Sequence, residues 1–211
     1  MRIAHAYGWI KKDPFFHWKA SWKPTEREVL TDHELNLLME GKFQNKKLDR
    51  TWDVFLFCCF TGLSYVDVKK LSNDDIVMDI HGQKWIRTRR TKTNTKTCVP
   101  LLPIPVQIME KYQHFNEESK DGRILPVMSN QKLNEYLKDV TELCGINRKV
   151  TFHLSRHTFV TTVTLANGVP IESVSKMLGH SNLKTTHIYA KVVDTKLKED
   201  MLTVKSRYRM G

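Results

Sequence analysis

The segment from about Leu48 to Phe60 is apolar on nearly all sides, and it limits the folds open to this chain more than any other feature. A helix that lacks a continuous polar stripe has to be surrounded by other elements, because no face of it is stable in water. We therefore expect a central helix here, ended by the segment Thr61-Gly62-Leu63. With 211 residues, the chain is long enough to build one sizeable core around it.

Capping patterns and periodicity predict further elements around this helix. Thr31 and Glu34 form a capping box, and Ser64 and Asp67 form a similar pair that opens a short helix ending near Leu71. Alternating residues predict two strands joined by a polar turn, followed by more helices. The predicted strands are Trp85–Arg90 and Cys98–Leu101, and the later helices are Val106–Phe115, Asn130–Cys144 and His153–Asn167.

The helix from His153 to Asn167 is the least obvious of these predictions. It contains five β-branched residues in a row, from Val160 to Thr164, which propensity alone assigns to a strand. Gly168 beyond its end and Pro170 at the start of the next segment instead favour a helix, a turn and a second helix. We therefore interpret this segment as a buried helix.

Imidazole, guanidinium and phenol groups recur at short spacings in the last third of the chain. His153 and Arg156 stand one turn apart at the start of that helix, where free N–H groups and the helix dipole favour a phosphate. Arg offers a planar fork that matches two phosphate oxygens. His180 follows Leu178-Gly179, and Tyr189 comes nine residues later. A protein needs these groups to attack a phosphodiester with its own side chain.

In order, spacing and apolar neighbours, these residues resemble the motifs of the tyrosine recombinases, also called phage-type integrases. The resemblance covers about residues 30–200. It implies an α+β, mainly α-helical catalytic domain of the DNA breaking-rejoining type, with a small antiparallel sheet on one edge. It also implies that Tyr189 is the nucleophile, served by Arg156, His153 and His180. The product is a 3′-phosphotyrosyl bond that keeps the phosphodiester's free energy, so neither a cofactor nor a metal is expected.

Two further site residues follow from the same resemblance. In the family, a catalytic lysine lies on the turn between two strands, eight residues before a Val-Pro-Leu segment. Lys92 stands eight residues before Pro100 here. We expect Lys92 to protonate the leaving 5′-oxygen as a general acid, with Lys84 and Lys96 as rival candidates. Asp67 matches an acidic position that supports the site without touching DNA.

One position departs from the family pattern. The first motif of the family reads Thr-Gly-Leu-Arg, and Ser64 stands in place of the arginine. Loss of one preorganised donor costs on the order of 10² to 10³ in rate at comparable sites. Either another cation takes this place, or the enzyme is slow or inactive. Because the other motif residues are present, we expect a relocated cation, with Arg50 as the first candidate and Arg87 or Lys70 as weaker ones.

His153 and His157 also have the spacing of two metal ligands on one helix. A zinc protease with this motif carries Glu after the first histidine, whereas Leu154 is found here. We therefore expect no metal site, and we interpret His157 as a structural residue or one that supports the site from behind.

The charge of the chain suits a nucleic-acid partner. Lys and Arg number 34 against 23 Asp and Glu, which gives a net charge of +11. The resemblance implies double-stranded DNA as the substrate, a homotetramer on DNA and a monomer alone, and it admits DNA-bending accessory proteins. The apolar runs are too short for a bilayer and the cysteines suit a reducing compartment, so we expect a cytoplasmic, nucleoid-associated bacterial protein.

The expected function is site-specific recombination: cleavage by Tyr189, exchange between duplexes and religation. The lysine-rich chain and the variant first motif favour integration or excision of a bacterial mobile element. Two alternatives remain, namely type IB topoisomerase-like relaxation of supercoils and a catalytically silent DNA-binding paralogue, which Ser64 makes credible.

Three segments are expected along the chain. Residues 1–30 are extended or turn-like around Pro14 and Pro24, which is typical of a linker or the remnant of a preceding DNA-binding domain. Residues 31–190 form the catalytic domain. In residues 191–211, apolar side chains recur at steps of three and four, which predicts a C-terminal helix that contacts a neighbouring subunit.

Overall fold

The fold class predicted from the sequence is confirmed: the chain forms a mainly helical α+β domain with a small antiparallel sheet at one edge. The computed structural model describes residues 2–12, 14–18, 28–180, 182–187 and 189. The α-helices are α1 (Arg2–Ala6), α2 (Asp32–Met39), α3 (Lys46–Thr61), α4 (Tyr65–Lys70), α5 (Pro103–Lys111), α6 (Gln113–Glu118), α7 (Asn130–Leu143), α8 (Leu154–Thr158), α9 (Ile171–Met177) and α10 (Lys184–His187). The strands are β1 (Ile76–Met78), β2 (Lys84–Arg89) and β3 (Lys96–Pro100).

Helix α3 is the central element, as its apolar sequence predicts. It buries an unbroken run from Asp53 to Thr61 and packs against α5, α7 and α8. The Asn45 side chain caps its first turn by accepting a hydrogen bond from the Lys47 N–H. Gly62 ends it at φ +69°, and a Cβ there would come within 2.4 Å of the Phe159 ring. Only glycine fits both the left-handed backbone and this close approach.

The sheet is a three-stranded antiparallel meander in which β2 pairs with both neighbours. The two predicted strands are present with slightly shifted ends, and Arg87 lies opposite Cys98. Strand β1 was not predicted, because its three residues are too few to show an alternating pattern. The turn between β2 and β3 lies beside α4, since Lys70 Nζ donates a hydrogen bond to the Arg89 carbonyl at 2.8 Å.

The segment after His153 is helical, as predicted, but its geometry changes along its length. It begins as α8, continues as a π-helix from Phe159 to Thr164, and ends in a 3₁₀ turn before Gly168. The β-branched run can lie inside the core because its threonine hydroxyls bond backbone carbonyls four residues earlier, a contact that tends to bend a helix. Thr161 Oγ1 donates to the His157 carbonyl at 2.9 Å, and Thr164 Oγ1 donates to Val160 at 2.7 Å.

Residues 28–31 begin the packed domain, and hydrogen bonds and burial attach them to its interior. Leu30 is fully buried, and its N–H donates to Thr158 Oγ1 at 3.0 Å. The Arg148 guanidinium bonds both Glu34 and the Val29 carbonyl. Aromatic side chains further upstream, such as Trp9, are exposed. The packed domain thus takes in the end of the predicted linker. The predicted C-terminal helix at 191–211 lies outside the described residues.

Candidate active site

The guanidinium of Arg156 lies at the junction of three elements. It projects from α8, and it donates hydrogen bonds to the Gly62 carbonyl at 2.5 Å and to the Leu178 carbonyl at 2.7 Å. The ends of α3 and α9 therefore hold it in place. The side chain is buried, and burial together with the nearby charge of Arg90 lowers its pKa to about 10. Arg156 consequently remains a cation at neutral pH.

His180 lies against Arg156 in a turn that glycine makes possible. Gly179 has φ +60°, and a Cβ there would come within 2.5 Å of Thr97 Oγ1 on β3. The turn thus packs directly on the hairpin. His180 Nε2 lies 3.3 Å from Arg156 Nη2, and Nδ1 lies 2.8 Å from Thr186 Oγ1. Since a guanidinium only donates, Nε2 accepts and Nδ1 carries the proton.

The imidazole of His180 is neutral over the ordinary pH range. Burial lowers its pKa to about 4, and the positive charges of Arg156 and Arg90 act in the same direction. A neutral ring accepts the hydrogen bond from Arg156, and it adds no further positive charge to the cluster.

The phenol of Tyr189 belongs to the same cluster. It is buried, and its hydroxyl is hydrogen-bonded to Nδ1 of His157. The His157 ring stands nearly perpendicular to the His153 ring, with the ring centroids 4.5 Å apart. Negative charge on Tyr189 raises the pKa of Arg156, so the phenol lies close enough to the guanidinium to attract it. His153 itself is exposed at the start of α8.

His157 is therefore more than the supporting residue that the sequence suggested. It forms a hydrogen bond to the phenol. In the sequence, only its position next to Arg156 pointed to the site. A contact between residues 32 positions apart depends on how α8 and the segment after α10 pack, which local patterns do not reveal.

Ser64 and Asp67 join α4 to the hairpin. The Ser64 hydroxyl donates to Asp67 Oδ2 at 2.6 Å, and Asp67 Oδ1 accepts two hydrogen bonds from Thr91, each at 2.8 Å. Burial raises the pKa of the Asp67 carboxyl, but these hydrogen bonds outweigh it and leave the pKa below its usual value. The Ser64 hydroxyl is thus used to cap α4 and to bond Asp67.

A further guanidinium near the cluster belongs to Arg90, which the sequence interpretation did not name. This residue follows β2 at the base of the hairpin, where its N–H bonds the Thr95 carbonyl at 2.9 Å. Its charge lowers the pKa of both Arg156 and His180, which places it beside them. Its Nε is buried and has no hydrogen-bond partner in the described part of the chain. One donor of this guanidinium is therefore unsatisfied among the described residues.

The assignment of Arg50 to this position is wrong. Arg50 is exposed near the start of α3, whereas Arg156 contacts the end of that helix at Gly62. Twelve residues of helix separate the two ends by about 18 Å, at roughly 1.5 Å per residue. Arg50 acts electrostatically on Tyr112 instead. Arg87 is exposed on β2, and Lys70 bonds the backbone at Arg89. Neither of these weaker candidates therefore takes the place of the motif arginine.

Lys92 is exposed on the turn between β2 and β3, two residues after Arg90. Its rivals Lys84 and Lys96 lie on the strands themselves. Because Asp67 anchors Thr91, the turn that carries Lys92 has a fixed base beside the cluster. The role of Lys92 remains a prediction.

A cavity of about 1120 Å³ adjoins the cluster. Its lining includes Ser64, His153 and Arg156 together with polar residues of α7, among them Asn134 and Lys138. Among the described residues, no group of three or more His, Cys, Asp or Glu is arranged to hold a metal ion. None of the helices described is long and apolar enough to cross a membrane.

Comparison with known proteins places this geometry in a wider context. Residues 28–196 match the model of the phage integrase family. The tyrosine recombinase XerD of Oceanobacillus iheyensis is 28% identical over 199 residues, which cover 89% of this chain and 65% of the relative. Among solved structures, XerH bound to its difH substrate in a post-cleavage complex gives a TM-score of 0.67 at 19% identity, covering 82% of this chain and 52% of that one.

A second solved structure is similar over almost the whole chain. The Tn1549 transposon integrase in complex with transposon right end DNA gives a TM-score of 0.67 at 16% identity, and the match covers 94% of this chain and 74% of the integrase. The chain spans between about half and two thirds of the length of the curated relatives that it matches.

Proposed function

Because the chain belongs to the phage integrase family of tyrosine recombinases, we propose that it carries out site-specific DNA strand exchange, with Tyr189 as the nucleophile. One observation carries the proposal: the Tyr189 phenol lies in a single cluster with the Arg156 guanidinium and two imidazoles. Attack on a phosphodiester would form a 3′-phosphotyrosyl bond and release a 5′-hydroxyl. The energy of the bond is kept, so the reverse reaction can rejoin a different strand.

The residues around Tyr189 have complementary proposed roles. Arg156 and Arg90 would bind the non-bridging phosphate oxygens and stabilise the charge that develops on them. His153, exposed at the start of α8, would contact the same phosphate from the solvent side. His180 would orient Arg156 through its Nε2, and Asp67 would hold the hairpin in position through Thr91.

Lys92 is the proposed general acid for the leaving 5′-oxygen, because it lies on a turn next to the cluster and carries a flexible ammonium. A substrate whose leaving atom is sulfur separates this step from the others, since a thiolate leaves without a proton. Lys92→Ala should cleave an ordinary phosphodiester slowly and the sulfur-substituted bond at the wild-type rate. If the sulfur substrate gives no recovery, Lys92 has another role.

Double-stranded DNA is the proposed substrate, and the net charge of +11 supports it. The similarity to the Tn1549 integrase supports integration or excision of a mobile element as the biological setting. We further propose assembly of four copies on DNA, with DNA-bending proteins as helpers, in the bacterial cytoplasm at the nucleoid. In this proposal residues 31–190 catalyse the reaction, residues 1–30 connect them to a DNA-binding domain, and residues 191–211 contact a neighbouring subunit.

The test is a covalent-trapping experiment with the 211-residue chain. A pool of nicked duplexes with randomised sequence is incubated with the protein, so that cleavage releases a short fragment and traps the strand on the protein. Wild-type protein should give a band that survives denaturation, and EDTA should not reduce it. Tyr189→Phe should give no band while binding DNA normally, and the matched control Tyr136→Phe on α7 should behave as wild type. A band of undiminished strength with Tyr189→Phe would assign the nucleophile elsewhere.

A further inference from the structure

The Tyr189 hydroxyl is hydrogen-bonded to His157, which the sequence analysis interpreted as a structural residue or one that supports the site from behind. We propose that His157 is the proton acceptor that activates Tyr189 for attack. The inference rests on the proposed function, because it requires Tyr189 to be the nucleophile. It adds a catalytic residue to the cluster and specifies the path of the phenolic proton.

The geometry meets the first requirement of a general base, which is a direct hydrogen bond to the group it deprotonates. His157 Nδ1 contacts the phenolic oxygen, and the two rings are tilted by 47° with centroids 5.4 Å apart. Both side chains are only 7% exposed, so bulk water has little access to the hydroxyl. For Nδ1 to accept this proton, the neutral ring has to carry its own proton on Nε2.

The backbone around His157 is held in place from both sides. Its carbonyl accepts the Thr161 hydroxyl at 2.9 Å, and the neighbouring Thr158 bonds the buried backbone of Leu30. The backbone that carries the imidazole is therefore held by contacts that do not involve the phenol.

The other two imidazoles of the cluster fit different tasks. Both ring nitrogens of His180 are occupied, one by Arg156 and the other by Thr186. His153 is exposed at the start of α8 and faces His157 ring to ring, with centroids 4.5 Å apart. His157, by contrast, forms a direct hydrogen bond to the phenol through Nδ1.

The proposed step balances without any external reagent. The phenolic proton moves to Nδ1, and the Tyr189 oxygen forms a bond to phosphorus. The bond from phosphorus to the 5′-oxygen breaks, and that oxygen takes a proton from Lys92. Rejoining reverses every transfer, so the His157 imidazolium returns its proton to the phenol.

Electrostatics link this transfer to the presence of DNA. A protonated His157 would stand next in sequence to the Arg156 cation, and this repulsion opposes proton transfer without DNA. A phosphate bound at the cluster would add negative charge and reduce this penalty, while Arg156 attracts the phenolate that forms. Tyr189 would therefore be activated only when a phosphodiester is in place.

The test compares His157→Asn with wild type in single-turnover formation of the covalent adduct across about pH 6 to 9. Asparagine can keep a hydrogen bond at the place of Nδ1 but cannot take a proton. The variant should be slower by about 10² to 10⁴. Its rate should also rise about tenfold per pH unit toward the usual phenol pKa of about 10, whereas the wild-type rate levels off. His114→Asn, at an exposed position on α6, is the matched control.

Other titratable and charged groups surround the pair, and their contributions are the same in both proteins. His153 packs against His157 and Arg156 acts on Tyr189, while His180, Arg90, Asp67 and Cys58 act on Arg156 in turn. The sulfur-leaving substrate should not restore His157→Asn, which separates its defect from that of Lys92→Ala.

A His157→Asn rate within about threefold of wild type, a faster rate, or recovery with the sulfur substrate would each overturn the proposal. Loss of the wild-type adduct, or its persistence in Tyr189→Phe, would instead refute the proposed function. If His157→Asn fails to fold, nitrogen NMR of the wild-type and Tyr189→Phe proteins decides the matter. The His157 Nδ1 resonance should shift when the hydroxyl is removed, and an unchanged resonance would contradict the hydrogen bond.

Discussion

Replacing Arg90 by alanine should impair DNA cleavage as severely as replacing a residue of the recognised motif. The positive charge of Arg90 lowers the pKa of both Arg156 and His180, and its Nε has no partner among the described residues. A guanidinium can bind phosphate oxygens as a cation, which the neutral hydroxyl of Ser64 cannot do. Removal of one such preorganised donor costs about 10² to 10³ in rate, or roughly 2.7 to 4 kcal/mol of transition-state stabilisation.

The assay is single-turnover adduct formation at saturating protein, so that weaker DNA binding does not hide the chemical step. Arg50→Ala and Arg87→Ala remove the same charge from exposed positions and should change the rate by less than about fivefold, because surface charges contribute little. Ser64→Arg in the Arg90→Ala background should restore part of the rate, since it returns a guanidinium to the position found in the family.

An independent measurement follows the charge itself. Burial, Arg156 and Arg90 together hold the His180 pKa at about 4. Without Arg90, the pKa of His180 should rise toward its usual 6.5, as followed by NMR titration. If Arg90→Ala cleaves within threefold of wild type and leaves this pKa unchanged, the relocation of the cation is refuted.

Three further predictions concern the support of the site and the ends of the chain. Gly179→Ala should lower both stability, by about 1 to 2 kcal/mol for the left-handed backbone, and the cleavage rate, because the new Cβ meets Thr97 and displaces His180; normal cleavage would contradict this. The Arg148 hydrogen bond lowers the Glu34 pKa from 4.5 to about 2, so its stabilisation is complete above pH 4.5 and is lost as pH falls toward 2. The free energy of unfolding of Glu34→Gln should therefore be about 1.5 to 3 kcal/mol lower than that of wild type at pH 7. Equal free energies of unfolding at this pH would refute the ion pair's contribution. Deleting residues 191–211 should impair assembly on DNA, measured by gel shift, far more than the melting temperature of the monomer.

The sequence could predict much of the fold because several signals are local. The capping box at Thr31, the cap at Ser64 and the breaks at Gly62 and Gly168 each depend on a few adjacent residues. The apolar run of α3 correctly indicated the central helix. Strand β1 and the π-helix were missed, since the first is short and the second depends on how threonine hydroxyls bond carbonyls inside the core.

The residues of the candidate site also fall into those that a local motif predicts and those that only the packing reveals. His153, Arg156, His180 and Tyr189 were identified from an ordered motif, and the structure brings them into one cluster. Arg90 could not be singled out because the basic segment from Lys84 to Lys96 offers several cations, and its effect on Arg156 and His180 depends on how the hairpin packs. Arg50 was chosen for its place on the preceding helix, but the length of α3 separates it from the site.

The measurement that tests the central claim most directly is chemical mapping of the trapped adduct. Wild-type protein is incubated with the nicked duplexes, the adduct is digested with protease and nuclease, and the modified peptide is sequenced by mass spectrometry. The account predicts a nucleotide remnant joined through its 3′-phosphate to Tyr189, and a released strand whose 5′-hydroxyl accepts phosphate from a polynucleotide kinase. A remnant on Tyr208 or any other residue, or a released strand that already carries a 5′-phosphate, would contradict the account.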